Sequence, residues 1–130
     1  MISIHDNEIT SYKVDLKNHK ITFHTLSPTN HQEVEVLFVE VLAHQFEAPL
    51  EGSIIFGIQE YELDRFIDGN RNLLEKQKKY CWPMYYDNMN DLSSFLKKEN
   101  YLYYVIQSSY GLNGWVVAKL LEIRRTESSE

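Results

Sequence analysis

Cysteine is all but missing from this chain: Cys81 is the only one among 130 residues. An internal disulfide is therefore excluded, and the usage fits a reducing compartment. Apolar runs never exceed a few residues, so no helix is expected to span a membrane. The start, Met1-Ile2-Ser3-Ile4-His5-Asp6, shows no basic segment followed by an apolar one, so no secretory leader is expected and the location reads as cytoplasmic. Close metal-ligand spacings are missing too. His5, His19, His24, His31 and His44 form no His-x-x-x-His pair, and one cysteine makes no Cys-x-x-Cys. Gly-x-Ser-x-Gly elbows, phosphate loops and dinucleotide fingerprints are lacking. So are internal repeats and low-complexity segments. The acids gathered in residues 31–68 make nucleic acid a poor partner, since phosphate binding needs clustered Lys and Arg. No metal, cofactor or catalytic residue is expected from these patterns.

What the chain does contain fits one globular domain over residues 1–130, with fraying expected at 1–7 and 124–130. Hydrophobic residues make up 43% and charged residues 25%, both ordinary for a globular protein. Acidity is concentrated. The net charge is −6, yet residues 31–68 alone set nine acids (Glu33, Glu35, Glu40, Glu47, Glu51, Glu60, Glu62, Asp64, Asp68) against Arg65. Residues 1–30 and 101–130 each balance.

The organising stretch is Glu33 to Glu47. Val34, Val36 and Phe38 alternate with Glu33 and Glu35, the period of a strand with one buried face. Beyond Phe38 the apolar parity shifts to Val39 and Val41, so a bulge or bend is expected at Leu37–Val39. Length and apolarity make this strand central rather than an edge. Ahead of it, Glu8–Leu16 and Ile21–Leu26 read as a strand pair around Lys17–Lys20, with Asn18 expected at positive φ. After it, Ser53–Ile58 reads as a short strand. A helical period from about Glu60 places Leu63, Phe66, Ile67, Leu73 and Leu74 on one face, with a kink or break at Gly69. A second helix, capped by Asn90 or Asp91, buries Leu92, Phe95 and Leu96 and ends at Asn100. Tyr101–Gln107 and Trp115–Ile123 close the chain as two strands around a loop, Ser108–Gly114. The expected fold is α+β: a curved, mainly antiparallel sheet of about six strands, with two helices packed on one side or end.

Single residues of a type that carries chemistry have plainer readings. Cys81, beside Trp82 and Pro83, reads as a packing residue. Glu40, interrupting an apolar run, reads as a bulge residue turned to solvent. His24 and His44 are close enough in the pattern to meet beside Glu40, but surface histidines are the commoner outcome.

Binding has more support. Tyrosine and tryptophan crowd the last 51 positions, from Tyr80 onward, and both offer rigid contact area with a polar tip. Tyr103 and Tyr104 are adjacent, so one is expected to face the helices and the other solvent. The candidate partner-binding residues are Glu33, Glu35, Glu60, Glu62, Asp64, Tyr85, Tyr86 and Tyr110, with the acids forming one negative face.

Three stretches carry a resemblance: Val41-Leu42-Ala43-His44-Gln45-Phe46-Glu47, Tyr80-Cys81-Trp82-Pro83, and Ser108-Ser109-Tyr110-Gly111-Leu112-Asn113-Gly114-Trp115. Together they resemble small, largely uncharacterised bacterial proteins of Bacillus type. Some of those look like the cytoplasmic immunity proteins that accompany secreted polymorphic toxins. The resemblance implies a binding protein and no particular functional residue. The expectation is a non-enzymatic acidic module that inhibits a basic protein such as a nuclease toxin, with a homodimer through a free sheet edge as a further option. The alternative is a domain that holds a small apolar or aromatic ligand in its curved sheet.

Overall fold

The computed structural model describes residues 3–126. Six antiparallel strands form a closed barrel in the order β1-β2-β3-β6-β5-β4. They are β1 (Glu8–Asp15), β2 (Lys20–Leu26), β3 (Glu33–Glu47), β4 (Ile54–Tyr61), β5 (Leu102–Tyr110) and β6 (Asn113–Arg125). Between β4 and β5 lie α1 (Leu63–Gly69), α2 (Arg71–Gln77), a 3₁₀ turn (Lys78–Tyr80) and α3 (Met89–Lys98). The α+β class and the curved six-strand sheet match expectation. The helices number three rather than two, because the first breaks at Asn70, whose side chain donates to the Phe66 carbonyl at 2.8 Å.

β3 is central, paired with β2 on one side and β6 on the other. Val34, Val36 and Phe38 enter the barrel with Ile21, Phe23, Tyr104, Ile106 and Val116. The ladder through Leu37–Val39 is regular on both sides. The parity change comes just later. Glu40 has φ 57°, and the β3–β6 register slips between Val41 and Ala43. The left-handed residue turns the strand over, so Val41 and Phe46 pack on the barrel interior while Leu42 and Ala43 meet the helices. Glu40 itself is exposed.

Other boundaries differ from expectation for local reasons. β4 runs on through Gln59, Glu60 and Tyr61, which pair with Val105, Tyr104 and Tyr103, so the helix starts at Leu63. His19, not Asn18, takes positive φ, because Asn18 is held by Asp15 through both its backbone N–H (3.1 Å) and its side-chain amide (2.9 Å). Asn88, not Asn90 or Asp91, caps α3, accepting from Asp91 N–H at 2.9 Å. The loop at 108–114 shrinks to Gly111–Leu112, with its neighbours drawn into β5 and β6. Asp6 and Asn7 are bonded to β4 rather than frayed, and Arg124 and Arg125 belong to β6; residues 1–2 and 127–130 lie outside the described residues.

Two apolar layers result. Inside the barrel, rings follow one another, Phe23 to Phe38 at 6.2 Å and Phe38 to Tyr104 at 5.5 Å, while the exposed Tyr12 packs on Phe23 from the rim at 5.5 Å. Outside, Leu63, Phe66, Ile67, Leu74, Leu92 and Leu96 cover Trp115, Val117 and Ala43. Phe66 lies 5.0 Å from Trp115, and Tyr103 lies 6.0 Å from it. Tyr103 thus faces the helices as expected, while Tyr104 faces the barrel interior instead of solvent, since closure gives the sheet a second buried face.

Candidate binding surface

The barrel is closed by very little. β1 and β4 share one paired position, Glu8 with Ile54. Three backbone hydrogen bonds hold it: Asp6 N–H to the Ile55 carbonyl (2.8 Å), Ile9 N–H to the Ser53 carbonyl (2.8 Å) and Ile55 N–H to the Asn7 carbonyl (3.0 Å). The two strands run oppositely and part on either side of this seam. From Thr10 to Asp15, β1 pairs with β2 alone.

Buried polar groups pin the seam. Asn7 donates from Nδ2 to Thr25 Oγ1 at 3.0 Å, and that hydroxyl donates to the Val34 carbonyl at 2.8 Å. Ser53 Oγ donates to the Leu50 carbonyl at 2.6 Å and accepts Leu112 N–H at 3.0 Å. All three side chains are about 2% exposed. Buried polar groups are tolerated only when so paired, so this end of the barrel has a fixed shape.

Three grooves adjoin here. The first, of about 380 Å³, runs between the unpaired side of β1 and the Pro49–Ser53 connection, past Glu8, Tyr12, Glu51 and Leu112. The second, about 310 Å³, crosses the seam past Asp6, Pro28, His31 and Ile54 and shares Glu8 and Gly52 with the first. The third, about 290 Å³, holds His24, Glu33 and Glu35 and shares Thr10 with the first. Asp6, Glu8, Glu33, Glu35 and Glu51 therefore line adjoining grooves, and among the described residues neither Lys nor Arg lines these three. Tyr110, more than half exposed, borders it, with its ring edge 3.9 Å from where a side chain on Gly52 would begin.

The candidate residues therefore divide. Glu33 and Tyr110 stand at this end. Glu35 does too, but it is held by Arg124, whose Nε and Nη2 both lie 3.0 Å from Glu35 Oε2. Glu60, Glu62 and Asp64 belong elsewhere: Glu60 is six residues beyond Ile54 on β4, or about 20 Å at strand rise. Asp64 is paired with Lys97 at 3.0 Å, which holds its carboxyl below the usual range. Glu62 and Asp64 line a groove together with Lys97 and Lys119, so charge is balanced there and no single face joins all five acids. Tyr85 is exposed and donates to Asp87 at 2.9 Å. Tyr86 is a correction: it is 5% exposed and donates to the Leu74 carbonyl, so it is a filler between helices and offers a partner no surface.

Glu8 and Glu51 were not singled out from the sequence. Glu8 lies in a segment whose charges balance, and only the seam brings it beside Glu51. The histidine pair does not form: His24 faces Glu35 on the outer wall, while the His44 ring lies tilted against Phe46 at 5.1 Å near the other end of β3. Cys81 is exposed, at φ 57°, rather than packed. Among the described residues no helix is long and apolar enough to cross a membrane, and no group of three or more His, Cys, Asp or Glu is placed to hold a metal. Comparison with protein-family models, curated proteins and solved structures returns no match to this chain.

Proposed function

We propose that this chain is a non-enzymatic, acidic binding module whose seam end docks a basic protein, as a cytoplasmic inhibitor or immunity protein would. The observation that carries the reading is the set of adjoining grooves lined by Asp6, Glu8, Glu33, Glu35 and Glu51, of which, among the described residues, Glu35 alone is paired with a Lys or Arg, Arg124. Such a surface attracts a positively charged partner from a distance and disfavours anionic ones. The fixed polar pins beneath it supply the preorganisation that keeps ordering costs low on binding. The ligand-in-sheet alternative loses ground because Ile21, Phe23, Val36, Phe38, Ile106 and Val116 fill the barrel axis, each no more than 2% exposed.

Co-expression with the product of the adjoining gene tests the proposal. Relief of growth inhibition and a stable complex are the expected results. Replacing Glu8, Glu33 and Glu51 together by Lys should slow association at low salt and flatten its salt dependence. Neither relief nor complex, or a complex indifferent to those changes, would count against it.

A further inference from the structure

We infer that the unpaired side of β1, from Thr10 to Asp15, accepts an extended basic segment of a partner protein as an added strand. This rests on the reading of the seam end as a docking surface for a basic protein. In an antiparallel sheet, alternate residues of a strand direct their N–H and C=O groups to each side. Between Thr10 and Asp15 one side is satisfied by β2, and no strand pairs with the other among the described residues. Thr10 to Lys13 are exposed, and Val14 and Asp15 are half-buried. A bare edge is a template for another chain unless something blunts it.

β4 shows what blunting looks like. Its ladder with β5 carries two register slips, and His5 Nδ1 hydrogen-bonds the Phe56 carbonyl at 2.8 Å. β1 has one irregularity, at Thr10, next to the seam, and pairs regularly with β2 from Ser11 to Asp15. The ladder behind the open edge is therefore regular from Ser11 to Asp15, with one exposed lysine, Lys13, at its middle.

Chemistry of the occupant follows from what flanks the edge. The groove along it is floored by Ile9, Tyr12, Leu50 and Leu112 and bears Glu8 and Glu51. Successive side chains of an added strand point to opposite faces. One set would lie over the apolar floor, while Lys or Arg at the end nearer the seam would meet the two carboxylates. An acidic or proline-rich segment is excluded by charge and by the missing N–H.

The test uses the isotopically labelled chain alone and a synthetic peptide, acetyl-Val-Lys-Val-Lys-Val-Lys-Val-amide. Backbone amide shifts are expected at Ile9–Asp15 and Leu50–Gly52. Two further peptides carry N-methyl groups on the odd or the even amides, and one of them must bind at least tenfold more weakly. A Glu-for-Lys peptide should not bind, and the Glu8→Lys, Glu51→Lys double variant should lose at least tenfold for the lysine peptide. Equal binding of both methylated peptides would mean charge attraction without strand pairing and would overturn the inference, as would no shifts at millimolar peptide or shifts centred on β4. Concentration-dependent β1 shifts without peptide would assign the edge to a second copy and overturn it as well. If the adjoining gene's product binds while β1 amides stay unchanged, strand addition falls and the docking reading stands. If the peptide pairs as expected and that product does not bind, the partner reading falls and strand addition stands.

Discussion

Gly111 sits at φ 83° in the two-residue connection between β5 and β6, where only glycine is unstrained. A β-carbon there would also lie 2.9 Å from Ser53 Cα, against backbone that cannot step aside. Gly111→Ala should therefore cost about 2 to 4 kcal/mol, measured by denaturant unfolding, and should disturb the Ser53–Leu112 hydrogen bond at the seam end. A milder effect belongs to His44. Burial against Phe46 lowers its pKa from the ordinary 6.5. The unfolded chain then binds more protons than the folded one between those two values. Stability is thus unaffected above pH 6.5, falls as pH drops through that value, and levels off below the lowered folded one. His44→Leu should show less acid destabilisation than the natural chain when melting temperatures are followed from about pH 8 to about pH 5.

Among elements, α3 depends most visibly on one residue. Asn88 accepts Asp91 N–H, Asp91 sits in the first turn, and Lys97 and Lys98 occupy the last, as the helix dipole favours. Asn88→Ala should cost about 1 kcal/mol and raise amide exchange in the first turn of α3 while leaving β3 protected. The buried face of this helix was legible from Leu92 and Leu96, four apart, but Phe95, also expected inside, is 38% exposed. The cap of α3 was not legible, because Asn88, Asn90 and Asp91 are all good caps and only the path out of the aromatic loop chooses among them. The same limit explains β3. Alternation identified its inner face up to Phe38, but the turnover occurs at Glu40, where a left-handed backbone carries a residue type that announces nothing. Helical spacing likewise found Leu63, Phe66 and Ile67, yet missed that β4 extends to Tyr61, since Gln59 to Tyr61 are polar enough to suit a helix start.

At the scale of the whole molecule, closure was the least legible feature, because it rests on contacts between residues 6–9 and 53–55 that leave no periodic trace. Closure also completes the acidic surface, by setting Glu8, which the ladders already place near Glu33, beside Glu51. The seam's thinness has a consequence for how the molecule opens. β3 pairs along nearly its whole length with β6, from Val34 to Glu47, whereas β1 and β4 share three hydrogen bonds near their starts. A small cooperative unit opens at lower free energy than the global transition. Amide exchange of Asp6, Ile9 and Ile55 should therefore proceed by a local opening well below the global unfolding free energy, while Val36, Phe38, Val116 and Val117 exchange only with global unfolding. Asn7→Ala sharpens the comparison: it leaves Thr25 Oγ1 without the amide donor and exposes a buried gap, at a cost of about 1 to 3 kcal/mol. Exchange at Ile9 and Ile55 should accelerate further in that variant, and a peptide added to β1 should slow Ile9 in the natural chain. Uniform protection across β1, β3 and β4, unchanged by Asn7→Ala, would show that the barrel opens as one unit and that the seam is no weak point.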